Sequence, residues 1–85
     1  MMTMDGNAAN MAALLKEWRE SKGISKYAIA KYENMRIEVV TAVEEGRATM
    51  SGLSNYLDFI GWQDKTFLKE FTSKWWESMG FGNLS

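Results

Sequence analysis

The side chains that could do chemistry in this 85-residue chain are carboxylates, hydroxyls and cations, because the sequence contains neither histidine nor cysteine. A catalytic set built on Ser/His/Asp or Cys/His therefore cannot be assembled, and a thiolate metal site is excluded. Glu44 and Glu45 are neighbours in a helical pattern, so their carboxylates point to different faces and make a poor catalytic pair. Gly80 and Gly82 belong to a tail and not to a phosphate-binding loop that follows a strand. We therefore expect no enzyme activity, no cofactor and no metal ion.

The composition is typical of a small globular domain that has to sort its charges onto different faces. Apolar residues make up 46% of the chain and charged residues 25%, with a net charge of −1. No apolar run approaches the roughly 18 residues of a membrane span, and the first ten residues lack the pattern of a signal peptide. A single-domain cytoplasmic protein is the expectation.

Apolar spacing predicts a compact all-α domain of five helices, the first of which covers 11–21. This helix has an apolar stripe that follows the i, i+3, i+4, i+7 rule and consists of Met11, Leu14, Leu15 and Trp18. Arg19 lies on the opposite side of the helix, together with Lys16 and Lys22, and is expected to be solvated.

The second and third helices are predicted to be short and joined by a tight turn. Ser25 is an N-cap residue for the second helix. Asn34 suits the turn because asparagine tolerates the left-handed backbone conformation. The third helix is expected over 36–45, and Gly46 ends it. Together these elements place a helix-turn-helix at about 25–46.

Two further helices complete the domain. Thr49 or Ser51 caps the fourth helix and Gly61 ends it, whereas Asp64 begins the fifth. Residues 1–10 are expected to be a flexible N-terminus, 11–79 the folded domain and 80–85 a loose tail. The fifth helix carries an aromatic stripe composed of Phe67, Phe71, Trp75 and Met79, with Trp76 beside it.

The third helix has an outward face that could meet the edges of nucleic-acid bases. If Val40 and Val43 are buried, the opposite side presents Ile37, Glu38, Thr41 and Ala42. A helix in the major groove reads bases through such side chains: Glu38 can accept from a cytosine amino group, Thr41 can hydrogen-bond, and the apolar pair can contact a thymine methyl. Arg36 and Arg47 flank this helix and are candidate phosphate contacts.

The stretch from Leu15 to Ala30 resembles the Cro and phage-repressor family, the xenobiotic-response-element type of helix-turn-helix protein. It reads Leu15-Lys-Glu-Trp-Arg-Glu-Ser-Lys-Gly-Ile-Ser-Lys-Tyr-Ala-Ile-Ala30, and the pattern Val40, Val43, Glu44, Gly46 resembles the end of the family's recognition helix. The resemblance extends to Gly61. It implies a lambda-repressor-like fold with an extra C-terminal aromatic helix, and double-stranded DNA as the partner. It also implies that Lys26 and Tyr27 contact phosphates or brace the recognition helix.

The resulting hypothesis is a small, repressor-like transcriptional regulator that binds specific double-stranded DNA through residues of about 36–45. The alternative is a protein-interaction module on a helix-turn-helix scaffold, because the net charge is −1 and the third helix carries Glu38, Glu44 and Glu45. Surplus aromatic residues in the fifth helix also suggest a homodimer interface. The candidate interface residues are Phe67, Phe71, Trp75 and Trp76.

Overall fold

The computed structural model describes residues 2–78 of the chain, with side chains described for 10–77. This part of the chain contains five α-helices and no strand. The all-α fold class predicted from the sequence is confirmed. Within the described range, no helix has both the length and the hydrophobicity that a membrane crossing needs. The helices are α1 (Met2–Ser21), α2 (Lys26–Tyr32), α3 (Ile37–Glu44), α4 (Met50–Gln63) and α5 (Lys65–Ser78). The predicted loose tail at 80–85 lies outside the described residues.

α1 is longer than the sequence pattern predicts. It begins at Met2, whereas the apolar pattern predicts a helix only from Met11. The flexibility expected of residues 1–10 stays a prediction. The prediction placed the start at the first apolar stripe, but a helix does not need a stripe to form. The preceding residues include alanine and methionine, which are strong helix formers, and no proline interrupts them.

The first three helices each end with the same backbone device, a residue in the left-handed conformation. Gly23, Asn34 and Gly46 have φ angles of 70°, 56° and 79°. After Asn34, the Met35 N–H donates to the Ala30 carbonyl at 2.8 Å, which satisfies a carbonyl that the helix leaves open. The predicted turn at Asn34 and end at Gly46 are therefore confirmed.

Hydroxyl and carboxylate caps start three of the helices as predicted. The Ser25 hydroxyl accepts from the Ala28 N–H at 3.1 Å, and the Thr49 hydroxyl accepts from the Gly52 N–H at 3.3 Å. The Asp64 carboxylate accepts from the first turn of α5. These bonds fix where α2, α4 and α5 begin.

Gly61 does not end α4, contrary to the prediction, since the helix continues through it to Gln63. The chain turns at the single residue Asp64 instead. Gly61 serves packing: a Cβ atom built on it would lie 3.1 Å from Leu68 Cδ2 of α5. The missing side chain lets α4 and α5 approach closely.

The hydrophobic core has α3 at its centre, in contact with α1, α2 and α4. Val40 and Val43 are buried on the inner side of α3, as expected. The largest fully buried side chains come from four helices, so no helix packs by itself, and they are Leu15, Ile29, Val40, Tyr56 and Ile60.

A buried ion pair between Arg19 and Glu44 fixes α1 against α3. Arg19 Nε donates to Glu44 Oε2 at 2.6 Å, and Arg19 Nη1 donates to the Ile24 carbonyl at 2.8 Å. The Tyr56 hydroxyl of α4 donates to the same carboxylate. The bond to Glu44 raises the pKa of Arg19, and burial raises the pKa of Tyr56. The expected solvated position of Arg19 is therefore wrong, because its charge is neutralised inside the fold.

Candidate nucleic-acid interface

The outer side of α3 is presented to solvent because the inner side is anchored in the core. With Val40 and Val43 buried, Ile37 and Glu38 are exposed in the first turn of the helix. Thr41 and Ala42, one turn later, are half-buried. The outward direction predicted for these four side chains is therefore clearest at the start of α3 and weaker further along it.

A hydrogen bond joins α2 to α3 on this surface. Lys26 Nζ, in the first turn of α2, donates to Thr41 Oγ1 at 3.1 Å. The bond brings together two of the residues predicted to contact DNA. Because an ammonium group has three donors, Lys26 retains donors for an anion while it is held in place.

Arg36 and Arg47 lie at the two ends of α3. Arg36 is the N-cap residue and is exposed, and its side chain makes no capping hydrogen bond. Arg47 follows the end of the helix and is also exposed, with its Nε donating to Glu45 Oε1 at 2.7 Å. Arg36 is thus the less constrained of the two cations, since Arg47 already has a carboxylate partner.

Four of the predicted residues line one shallow depression on the surface. Arg36, Glu38, Ala42 and Arg47 share it with Ala48 and Thr49. Thr49 was not among the predicted site residues, although its role as the N-cap of α4 was. N-terminal N–H groups of a helix attract anions, and this signal could have added the start of α4 to the site.

A second depression lies between α2 and α3. Tyr27 and Ile37, both predicted site residues, line it together with Asn34 and Met35. Tyr27 is 67% exposed and Ile37 is 43% exposed. Exposed large apolar side chains at one place are typical of contact surfaces.

Cations and carboxylates are mixed on this face. Lys26, Arg36 and Arg47, with Lys31 in the depression between α2 and α3, lie among the carboxylates of Glu38 and Glu45. The cations lie at the periphery of α3, whereas Glu38 occupies its first turn. This arrangement places positive charge where a phosphate backbone would flank an inserted helix.

The aromatic residues predicted as a dimer interface are mostly engaged within one molecule. Phe71 is buried, and Phe67 stacks on Trp18 with ring centroids 5.6 Å apart. Trp75 packs partly buried against the core, whereas Trp76 is 58% exposed. Phe67, Phe71 and Trp75 therefore attach α5 to α1 and the core, which removes most of their surface from any outer face. Met79, the last member of the predicted stripe, lies outside the described residues.

Among the described residues, no three carboxylates come together in a way that could hold a metal ion. Comparison of the chain with family models, with curated proteins and with solved structures finds no match.

Proposed function

We propose that this protein is a small DNA-binding regulator in which α2 and α3 form a helix-turn-helix and α3 enters the major groove. The observation that carries the proposal is the exposed first turn of α3, with Arg36 at its start and Arg47 beyond its end on one depression. A helix of eight residues whose inner side is fixed in the core offers its N-terminal turn to a groove as a rigid body.

The cations would position the helix and the outward side chains would read the bases. Arg36 and Arg47, which flank α3, would contact phosphates beside the groove, and Lys26 would approach the backbone from α2. Ile37 and Glu38 are exposed at the leading end of α3, where base edges are met. Because Glu38 and Glu45 offset part of the positive charge on this face, non-specific affinity is expected to be modest and dependent on salt.

Fluorescence anisotropy with random duplex DNA at two salt concentrations tests the proposal. Arg36→Ala and Arg47→Ala should each weaken binding and reduce the slope of log K against log salt by about 1. Lys69→Ala is the matched control, because Lys69 is an exposed cation on α5, which contacts α1 and α4 and neither α2 nor α3. Phosphate contact by this face would be contradicted if the wild type does not bind DNA at low salt, or if all three variants lose the same affinity for DNA.

A protein partner on the same face is the second candidate function. The exposed Tyr27 and Ile37 beside a shallow depression favour it, as do the carboxylates of Glu38 and Glu45. Ile37→Ser should leave a salt-dependent phosphate interaction nearly unchanged, because Ile37 has no polar side-chain group, whereas it should weaken a protein contact strongly. The two functions are separated by whether this substitution or the arginine substitutions reduce binding.

Self-association through α5 is a further proposal, since two copies would present paired recognition helices to DNA half-sites. Trp76 is the member of the predicted set with the largest exposed fraction. Sedimentation of the wild type and of Trp76→Ser over a range of concentrations tests it. If the wild type and Trp76→Ser both sediment as monomers at every concentration, self-association through α5 is contradicted.

A further inference from the structure

Glu33 has a buried oxygen that lacks a hydrogen-bond donor. The residue is the C-cap of α2, and its N–H donates to the Ile29 carbonyl at 2.9 Å. Its Oε2 atom is the one buried side-chain nitrogen or oxygen without a partner among the side chains that the structure describes. Such an atom loses its hydration without compensation, so a bound proton, which turns the carboxyl group into a donor, would relieve the cost.

The surroundings of Glu33 all oppose a negative charge. Asp58 of α4, itself exposed to solvent, acts on Glu33 through a hydrogen bond and through its charge, both of which favour a protonated Glu33. Glu33 also lies at the C-terminal end of a helix, where the helix dipole disfavours an anion. Burial, followed by the hydrogen bond and charge of Asp58, raises the pKa of Glu33 from 4.5 to about 7.

No cation of the described helices offsets this carboxylate. α2 packs against α3 and α4. On α3, the Glu44 carboxylate is already bonded to Arg19 and Tyr56. Glu38 of α3 and the N-cap residue Arg36 are exposed, and Arg36 forms no ion pair with Glu33. Lys31 of α2 is exposed and likewise makes no such pair within the described residues. After burial, Asp58 is therefore the main influence on the protonation of Glu33 among the described residues.

We infer that Glu33 and Asp58 form a proton-operated clasp between α2 and α4. When the pair holds one proton, the Glu33 carboxyl group donates to the Asp58 carboxylate and joins the two helices. When that proton returns to solvent, two carboxylates face each other and repel across the same contact. The clasp adjoins Asn34, whose left-handed turn sets the direction from α2 into α3.

The sign of the pH dependence follows from the direction of the shift. The folded state binds the proton of Glu33 more tightly than the unfolded state does. The stability that this proton contributes is therefore complete below pH 4.5 and is lost as the pH rises towards and through 7. The chain has no histidine, the side chain that usually titrates between pH 5 and 8. A change in stability across this window is therefore attributable to Glu33 with little interference.

Urea unfolding at pH 5.5 and pH 8.0 tests the clasp in the intact chain. The folding equilibrium constant of the wild type should fall roughly tenfold between these two pH values. Glu33→Gln should remove most of this dependence and be the more stable protein at pH 8.0, because an amide donates a hydrogen bond at every pH. Glu38→Gln, which neutralises an exposed carboxylate on α3, is the matched control and should keep the wild-type dependence.

A titration of the wild type keeps the test independent of how the variants fold. The side-chain carboxyl carbon of Glu33, followed by NMR, should show a midpoint near 7 and should move towards 4.5 in Asp58→Asn, since the like charge is gone. A midpoint near 4.5 in the wild type would overturn the inference. So would a Glu33→Gln protein whose stability falls with pH as steeply as that of the wild type.

Discussion

Arg19 and Glu44, 25 residues apart in the chain, share a buried ion pair that fixes α1 to α3. Both side chains are more than nine-tenths buried, so neither charge has water to replace a lost partner. The Tyr56 hydroxyl adds a third helix to the same carboxylate. The orientation of α3, and with it the candidate interface, depends on this network.

We predict that Glu44→Ala destabilises the protein by about 3–5 kcal/mol, because Arg19 then remains charged and buried without its carboxylate. Replacing both partners with apolar residues, Arg19→Met together with Glu44→Leu, should cost less than the single substitution, since no uncompensated charge is left. Urea unfolding measures the free energy of unfolding of the single and the double variant. The control is Arg47→Met, which breaks the exposed pair with Glu45 and should change stability by less than about 1 kcal/mol. Equal losses in all three proteins would contradict the buried-pair account.

The capping hydroxyls should each contribute about 1 kcal/mol to the free energy of unfolding. Ser25→Ala and Thr49→Ala remove acceptors for the Ala28 and Gly52 N–H groups, which then have no side-chain partner. Thermal unfolding followed by circular dichroism measures the loss. Ser54→Ala is the control: Ser54 is an exposed serine inside α4, where alanine is the better helix former, so its stability should be unchanged or slightly higher.

Two glycines in α4 are predicted to respond differently to the same substitution. A Cβ at position 52 would lie 2.9 Å from Val39 Cγ1, a stiff β-branched side chain. Gly52→Ala should therefore lower stability by about 1–3 kcal/mol, despite the gain in helix propensity. At Gly61 the close atom is the end of the more flexible Leu68 side chain, so Gly61→Ala should be near neutral. Denaturant midpoints that rank the two variants in the reverse order would contradict this account.

Glu38→Gln is predicted to strengthen binding to random duplex DNA if the proposed interface is correct. Glu38 is exposed in the first turn of α3, and removing its charge reduces repulsion of phosphates by up to about 1 kcal/mol, or roughly a two- to five-fold gain in affinity. Anisotropy at low salt measures the effect, and the gain should shrink as salt is added. Glu70→Gln, an exposed carboxylate on α5, is the control and should leave affinity nearly unchanged. An equal gain from both substitutions would point to net charge rather than to this face.

Local signals in the sequence were sufficient to place most of the helix ends. Ser25, Thr49 and Asp64 act as caps, and Asn34 and Gly46 end helices, because each depends only on residues three to five positions away. Apolar spacing likewise identified Val40 and Val43 as buried. These features are determined by short-range physical chemistry that a single sequence displays.

The features that sequence reasoning missed depend on distant partners. Arg19 looks like a solvated residue until Glu44 is brought beside it, and Glu33 looks ordinary until Asp58 faces it. Gly61 resembles a helix end, although α4 continues through it and the end of the Leu68 side chain of α5 lies beside it. No periodicity in the sequence reports such long-range pairings.

The position of α3, enclosed by α1, α2 and α4, has a consequence for how its outer surface meets any partner. The backbone N–H groups around Val40 are shielded by three neighbouring helices, so their exchange with deuterium should require unfolding of the whole domain. A partner then encounters a surface whose backbone is already ordered and need not pay the conformational entropy of folding a recognition segment. Association should accordingly be limited by electrostatic encounter and side-chain adjustment rather than by a folding step.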